Sequence, residues 1–65
     1  MRLVVNGVEE ELAVGNVAEL LRLRGTDPRW VVVALNQRCI LRRELAVTML
    51  QPHDVVEILS PMQGG

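Results

Sequence analysis

Trp30-Val31-Val32-Val33-Ala34-Leu35 is the most β-prone run of the 65-residue chain, and its reading decides the fold. β-Branched and aromatic residues suit a pleated, half-buried surface, and here they follow one another without polar alternation, so the run is apolar on both faces. That pattern implies a central strand rather than an edge. Asn36-Gln37 ends it as a turn, and Cys39-Ile40-Leu41 can return beside it as a short strand. On the N-terminal side, Thr26-Asp27-Pro28 is a turn, because a residue before proline is pushed out of the α region.

Working outward toward the N-terminus, Gly15 breaks the pattern and Asn16 stands as a helix N-cap, with Glu19 three residues on to complete a capping-box-like pair. Val17, Leu20 and Leu21 share one helical face with Leu23 flanking them, Arg22 and Arg24 suit the C-terminal dipole, and Gly25 supplies the stop. This predicts a helix over Val17 to Arg24. Leu3-Val4-Val5, then Asn6-Gly7, then Val8 to Leu12 reads as a hairpin, since Asn-Gly tolerates the positive φ that a tight hairpin turn requires. Glu9, Glu10 and Glu11 on its second strand suit a solvated edge that resists pairing with other strands, a reading preferred over a binding patch.

Toward the C-terminus, Arg42-Arg43-Glu44 is a polar bend and Val47 to Leu50 an irregular or single-turn segment. Pro52-His53-Asp54 turns the chain, Val55-Val56-Glu57-Ile58-Leu59 is the last strand, and Pro61 closes it by lacking the N–H that a continued ladder needs. One amphipathic helix across one face of a mixed sheet of four to five strands is an α+β arrangement of the β-grasp kind. Residues 1–60 form this domain and residues 61–65 a flexible tail. If the last strand lies parallel beside the first in the middle of the sheet, the tail leaves from the sheet's end.

Composition narrows the function. One domain of this size buries about 60% of its unfolded surface, and with one Trp, no Phe and no Tyr its core is aliphatic. A net charge of -1, from seven basic and eight acidic residues, gives no electrostatic reason to expect nucleic acid or an anionic membrane as partner. The single Cys39 excludes an internal disulfide, and with no apolar run long enough to span a bilayer and no signal peptide the expected location is cytoplasmic. No Cys/His cluster has metal-ligand spacing and no glycine-rich loop could cradle phosphate, so neither a metal nor a cofactor is expected on the chain, and an autonomous enzyme is not. Cys39, small and between Arg38 and Ile40, reads as buried packing, and His53 beside Pro52 as a turn residue.

Strand alternation sorts the apolar residues. With Leu3, Val5, Val31, Val33, Leu35, Val56 and Ile58 facing the helix, Val4, Val32, Ala34, Val55 and Leu59 lie on the opposite, uncovered face as a candidate docking patch. Trp30 is a candidate anchor bordering it, weighed against a purely structural role. The sequence then stops on Pro61-Met62-Gln63-Gly64-Gly65. Two glycines have no side chain to pack and the widest backbone freedom, so such an end either frays or threads a channel too narrow for any Cβ and presents its carboxylate to another protein. Met62, Gln63 and Gly64 would then line the partner's channel, with Gly65 as the reacting end.

The chain resembles the ThiS family of ubiquitin-like sulfur carriers in thiamine thiazole biosynthesis. The likeness runs over nearly its whole length and rests on Val5-Asn6-Gly7, Val17-Ala18-Glu19-Leu20-Leu21, Val33-Ala34-Leu35-Asn36, Arg42 with Glu44, Asp54-Val55-Val56-Glu57-Ile58-Leu59, and the terminal Gly64-Gly65. It departs from the family at Leu41 before Arg42, where a proline is common, at Leu45 in place of an aromatic, at His53 in place of a turn glycine, and at Gln63 in place of a third glycine. The resemblance implies that a ThiF-like activating enzyme, which would bind the ATP and Mg²⁺, adenylates Gly65. A sulfur donor system then converts the end to a thiocarboxylate, and a ThiG-like thiazole synthase consumes it. Related readings are the small subunit of molybdopterin synthase, whose members are longer and richer in aromatics, a ubiquitin-like modifier, and a non-catalytic interaction domain.

Overall fold

The computed structural model describes residues 1–60. Five strands form one mixed sheet: β1 Arg2–Val5, β2 Val8–Glu11, β3 Val32–Leu35, β4 Arg38–Ile40 and β5 Val55–Leu59. Between β2 and β3 comes the helix α1, Val17–Leu23. The sheet order is β2-β1-β5-β3-β4, so the last strand of the sequence occupies the middle. It runs parallel to β1, with Val4 opposite Val55 and Val5 opposite Val56. It runs antiparallel to β3, with Val32 opposite Leu59 and Leu35 opposite Val56. The last strand thus lies parallel beside the first in the middle of the sheet, as the sequence allowed. β3 is interior, as its two apolar faces require, and the acidic β2 is an edge.

Two asparagine turns make the hairpins. Asn6 and Gly7 have φ of 49° and 82°, and Asn36 and Gln37 have 50° and 71°. Consecutive left-handed residues match the right-handed twist of the flanking strands, which closes β1 on β2 and β3 on β4 in the registers Val5 with Val8 and Leu35 with Arg38. The pairing places β4 one residue earlier than the sequence alone suggested.

The helix is held at both ends by side-chain and backbone partners. Asn16 Oδ1 accepts from the Glu19 N–H at 2.8 Å, while Glu19 Oε1 reaches back to the Gly15 N–H at 2.6 Å, one residue short of a standard capping box. The segment after the polar bend Arg42-Arg43-Glu44 satisfies two more free donors of the first turn: Val17 N–H donates to the Thr48 carbonyl and Ala18 N–H to that of Leu45, both at 3.1 Å. At the far end Gly25, with φ of 68°, lets its own N–H reach the Arg22 carbonyl and that of Thr26 the Leu21 carbonyl. These are the paired bonds of a Schellman ending.

The core lies between α1 and one face of the sheet. Leu3, Val5, Val33 and Val56 from the strands meet Val17, Leu20 and Leu21 from the helix, and Val14, Ile40, Leu45 and Leu50 close its sides. It is wholly aliphatic. Two sequence expectations change. Trp30 does not begin β3: it ends a 3₁₀ turn, Pro28–Trp30, because Asp27 Oδ1 accepts the Arg29 N–H at 2.9 Å and caps that turn. The local hydrogen bond outweighs the β preference of one residue. Cys39 is exposed rather than buried, since its neighbour Ile40 faces the core and alternation turns Cys39 to the open side. The segment Val47 to Leu50 is irregular, as expected, and it closes the core: Leu50 is buried and its N–H donates to the Gly15 carbonyl at 2.9 Å.

Candidate functional site

The expected reacting group and its approach, Met62, Gln63, Gly64 and Gly65, lie outside the described residues. What the structure does define is the base from which they leave and the face beside it.

The base is the end of β5. Two amide side chains complete the hydrogen-bonding of this strand where its neighbours run out. On the β1 side, Asn6 Oδ1 accepts the Ile58 N–H at 2.7 Å across a separation of 52 residues, while the Asn6 N–H donates to the Val56 carbonyl at 2.9 Å. On the β3 side, Asn36 Oδ1 accepts the Val55 N–H at 2.9 Å. Asn36 Nδ2 donates to Asp54 Oδ1 at 3.0 Å, and Asp54 Oδ2 takes the Gln51 N–H at 2.8 Å. Both asparagines sit at positive φ, a conformation that asparagine tolerates better than other residues with a Cβ. Each side-chain oxygen therefore stands where the next backbone carbonyl of a continuing strand would stand.

The open face is brought together as strand alternation required. Val4 lies opposite Val55, and Val32 opposite Leu59. Ala34 lies opposite both Glu57 and Cys39. Val32, Val55 and Leu59 are 44%, 40% and 59% exposed, while Val4 and Ala34 are half-buried. The list of five apolar residues missed Glu57 and Cys39, which the same parity places among them. Glu57 sets a carboxylate between Val55 and Leu59, so the patch is apolar with one acid at its centre. At the β1–β2 side it ends in charge: Arg2 pairs with Glu9 at 3.3 Å and lies 3.9 Å from Glu11, which also holds the N-terminal ammonium at 2.9 Å. That ammonium, then Arg2, draws the Glu11 carboxyl below its ordinary range.

Trp30 lies elsewhere. It is 52% exposed, with the Arg29 guanidinium 5.7 Å from its ring centroid. It lines a groove with Gly25, Asp27, Val31, Ile58 and Ser60. Val31 and Ile58 pack against the core, so this groove opens on the helix side of the sheet, at the root of the tail. The expected place of Trp30 at the border of the open-face patch is corrected accordingly. Arg29 holds the Asp27 carboxyl below its usual range by hydrogen bonding and charge, and is itself held further toward its charged form.

Among the described residues no three or more His, Cys, Asp or Glu side chains converge to hold a metal ion. No helix among them is long and apolar enough to cross a membrane. His53 occupies its turn at φ of 74°, with its backbone N–H donating to the Arg2 carbonyl at 2.6 Å.

The described residues therefore define a central strand that ends beside an uncovered, largely apolar face. Comparison with known proteins is consistent in both sequence and shape. A search of curated proteins found no match. The crystal structure of the thiamine biosynthesis protein ThiS from Geobacter metallireducens superposes with a TM-score of 0.83 at 35% identity, over 100% of both chains. An NMR solution structure of a thiamine biosynthesis protein from the same organism gives a TM-score of 0.82 at 33% identity, over 100% of this chain and 88% of the other. The ThiS family model matches residues 3–65, which takes in the terminal Gly64 and Gly65. With the β-grasp topology and the hairpin, helix and last-strand motifs in place, the chain belongs to the ThiS family.

Proposed function

We propose that this chain is a sulfur carrier for thiazole formation in thiamine biosynthesis, with residues 1–60 as the recognition domain and residues 61–65 as the arm that is chemically worked on. The observation that carries the reading is family membership extending through Gly64 and Gly65, joined to a sheet whose central strand leads directly into that arm.

A carboxylate is a poor acyl donor because resonance lowers its electrophilicity and oxide is a poor leaving group. In the proposed sequence a ThiF-like enzyme binds ATP and Mg²⁺, the Gly65 carboxylate attacks the α-phosphorus, and pyrophosphate leaves. The resulting acyl-adenylate is attacked at carbon by sulfide-level sulfur, a hydrosulfide equivalent delivered by a donor system, and AMP departs. The thiocarboxylate that remains is a soft nucleophile, largely ionised near neutral pH like other activated thiolates. At a ThiG-like thiazole synthase the sulfur bonds to an electrophilic carbon of the acceptor, an oxygen nucleophile from water or the acceptor replaces it at the acyl carbon as the C–S bond breaks, and the chain returns as a carboxylate. On this reading the chain is a cosubstrate and not an enzyme.

The roles divide by chemistry. Gly65 supplies the acyl group, Gly64 supplies clearance in the channel, and Gln63 and Met62 contact its mouth. Val4, Val32, Ala34, Val55 and Leu59 form the docking face. Trp30, at the root of the tail, is a second contact point. The test is an intact mass after incubation with the activating enzyme, ATP and a sulfur donor. A gain equal to the exchange of one oxygen for one sulfur is expected. High-mass conjugates to lysine would instead identify a protein modifier, and an unchanged mass would leave only an interaction domain. Transfer of the sulfur to a molybdopterin precursor, and not into thiazole, would identify the carrier of that other route.

A further inference from the structure

We infer that Asn6 is a positioning residue for the carrier's reacting end: its side-chain amide oxygen, accepting the Ile58 N–H, holds the last residues of β5 in the sheet just before the chain passes to Pro61. The inference rests on the carrier reading above. It starts from an asymmetry of β5. On one flank β3 accompanies this strand to its end, where Val32 is paired with Leu59. On the other flank β1 stops at Val5, opposite Val56, because Asn6 and Gly7 turn the chain into the first hairpin. Past that point the strand's inner N–H on the β1 side would meet no backbone acceptor, and a strand end tied on one flank only is free to peel and twist.

The Asn6 side chain closes that gap. Its oxygen lies 2.7 Å from the Ile58 nitrogen, so the ladder on the β1 side extends two residues beyond the last paired residue, Val56. Ile58 is followed by only Leu59 and Ser60 before Pro61 begins the arm. A chain end delivered into another protein's active site reacts at a rate set by how often it arrives in the productive orientation. Loosening its root spreads that orientation, while β3 still holds Leu59 of the docking face opposite Val32.

Asn36 supplies an internal control. It has the same φ within a degree of Asn6, and its side-chain oxygen accepts a β5 N–H at 2.9 Å. That N–H belongs to Val55, at the opposite end of the strand, far from the arm. Because Asn36 Nδ2 also donates to Asp54 Oδ1, loss of the Asn36 side chain should weaken the fold at least as much as loss of that of Asn6, yet only loss of the Asn6 bond should disturb adenylation.

The experiment compares Asn6→Gly, Asn36→Gly and Asn6→Asp with the wild-type chain. Glycine keeps the positive φ and therefore the hairpins, while removing the side-chain acceptor. Aspartate keeps an acceptor oxygen in place. Amide hydrogen exchange of Ile58 and steady-state adenylation by the activating enzyme with ATP are measured on each. For Asn6→Gly the expected result is faster exchange at Ile58 and a roughly threefold to tenfold drop in kcat, with KM for the chain little changed. Asn6→Asp should restore both readouts, and Asn36→Gly should lose protection at Val55 while keeping the wild-type kcat. Equal losses of kcat in the two glycine variants would reduce Asn6 to a fold residue and overturn the inference, as would an undiminished kcat in Asn6→Gly. A wild-type chain that is not adenylated at all would overturn the carrier reading, and the positioning role with it, a failure visible before any variant is compared.

Discussion

Replacing Leu59 by serine tests the docking face where its position is best defined. Leu59 ends β5 on the open side, opposite Val32, and is 59% exposed. Full burial of a leucine side chain is worth about 1.5–3 kcal/mol. The fraction still exposed in the free chain therefore holds about 1–2 kcal/mol for a partner that covers it, or roughly a 5- to 30-fold change in Kd. The fold should feel the change much less, because the side chain already meets water and none of the buried core residues depends on it. Titration calorimetry against the activating enzyme gives Kd, and thermal unfolding gives the stability of the same variant. An affinity that holds within twofold while the chain remains folded would refute this face as the contact. A large loss of stability would refute the exposure argument instead.

Three further outcomes follow from other parts of the molecule. Gly64→Ala should impair adenylation while leaving thermal stability almost unchanged, and kinetics equal to wild type would count against a channel that rejects a Cβ. His53→Gly should raise stability by about 0.5–1 kcal/mol, since relief of a left-handed residue is worth about 1–2 kcal/mol and glycine's extra freedom in the unfolded chain takes back about 0.5–1; a lower denaturation midpoint would show that the imidazole contributes something the backbone does not. Asp27 titrates in the folded chain below its ordinary value of 3.8, chiefly through its hydrogen bonds to Arg29. A depressed carboxyl stabilises the fold above its unfolded pKa and loses that contribution as pH falls through the folded one. The advantage of wild type over Asp27→Asn should hold near neutral pH and shrink steadily below about pH 4, and a gap independent of pH would rule out the ion pair as its source.

Much of the fold was legible in short patterns because those patterns are local. Asn6-Gly7 fixes a hairpin through two adjacent φ angles. Asn16, Glu19 and Gly25 bound the helix within a few residues of each other. Strand alternation assigned Leu3, Val5, Val33 and Val56 to the core and Val32, Val55 and Leu59 to the open face, as found. The same parity, carried through every strand, would have added Glu57 and Cys39 to that face. The packing of Leu45 and Leu50 against the start of the helix was not legible, since nothing in Val47 to Leu50 has a regular period to read. Nor was the place of Trp30, where an Asp-Pro cap overrides a β-prone neighbour.

By itself the sequence determined where the chain turns and which residues are apolar together, because each of these depends on neighbours along the chain. Only the tertiary structure decided that the last strand lies in the middle of the sheet and that Asn6 and Asn36 bind it from either side, over separations of 52 and 19 residues. An asparagine in a turn looks the same in sequence whether its amide meets water or a strand. Which of the two it meets is settled by the packing of the helix on the sheet, which brings β1, β5 and β3 side by side.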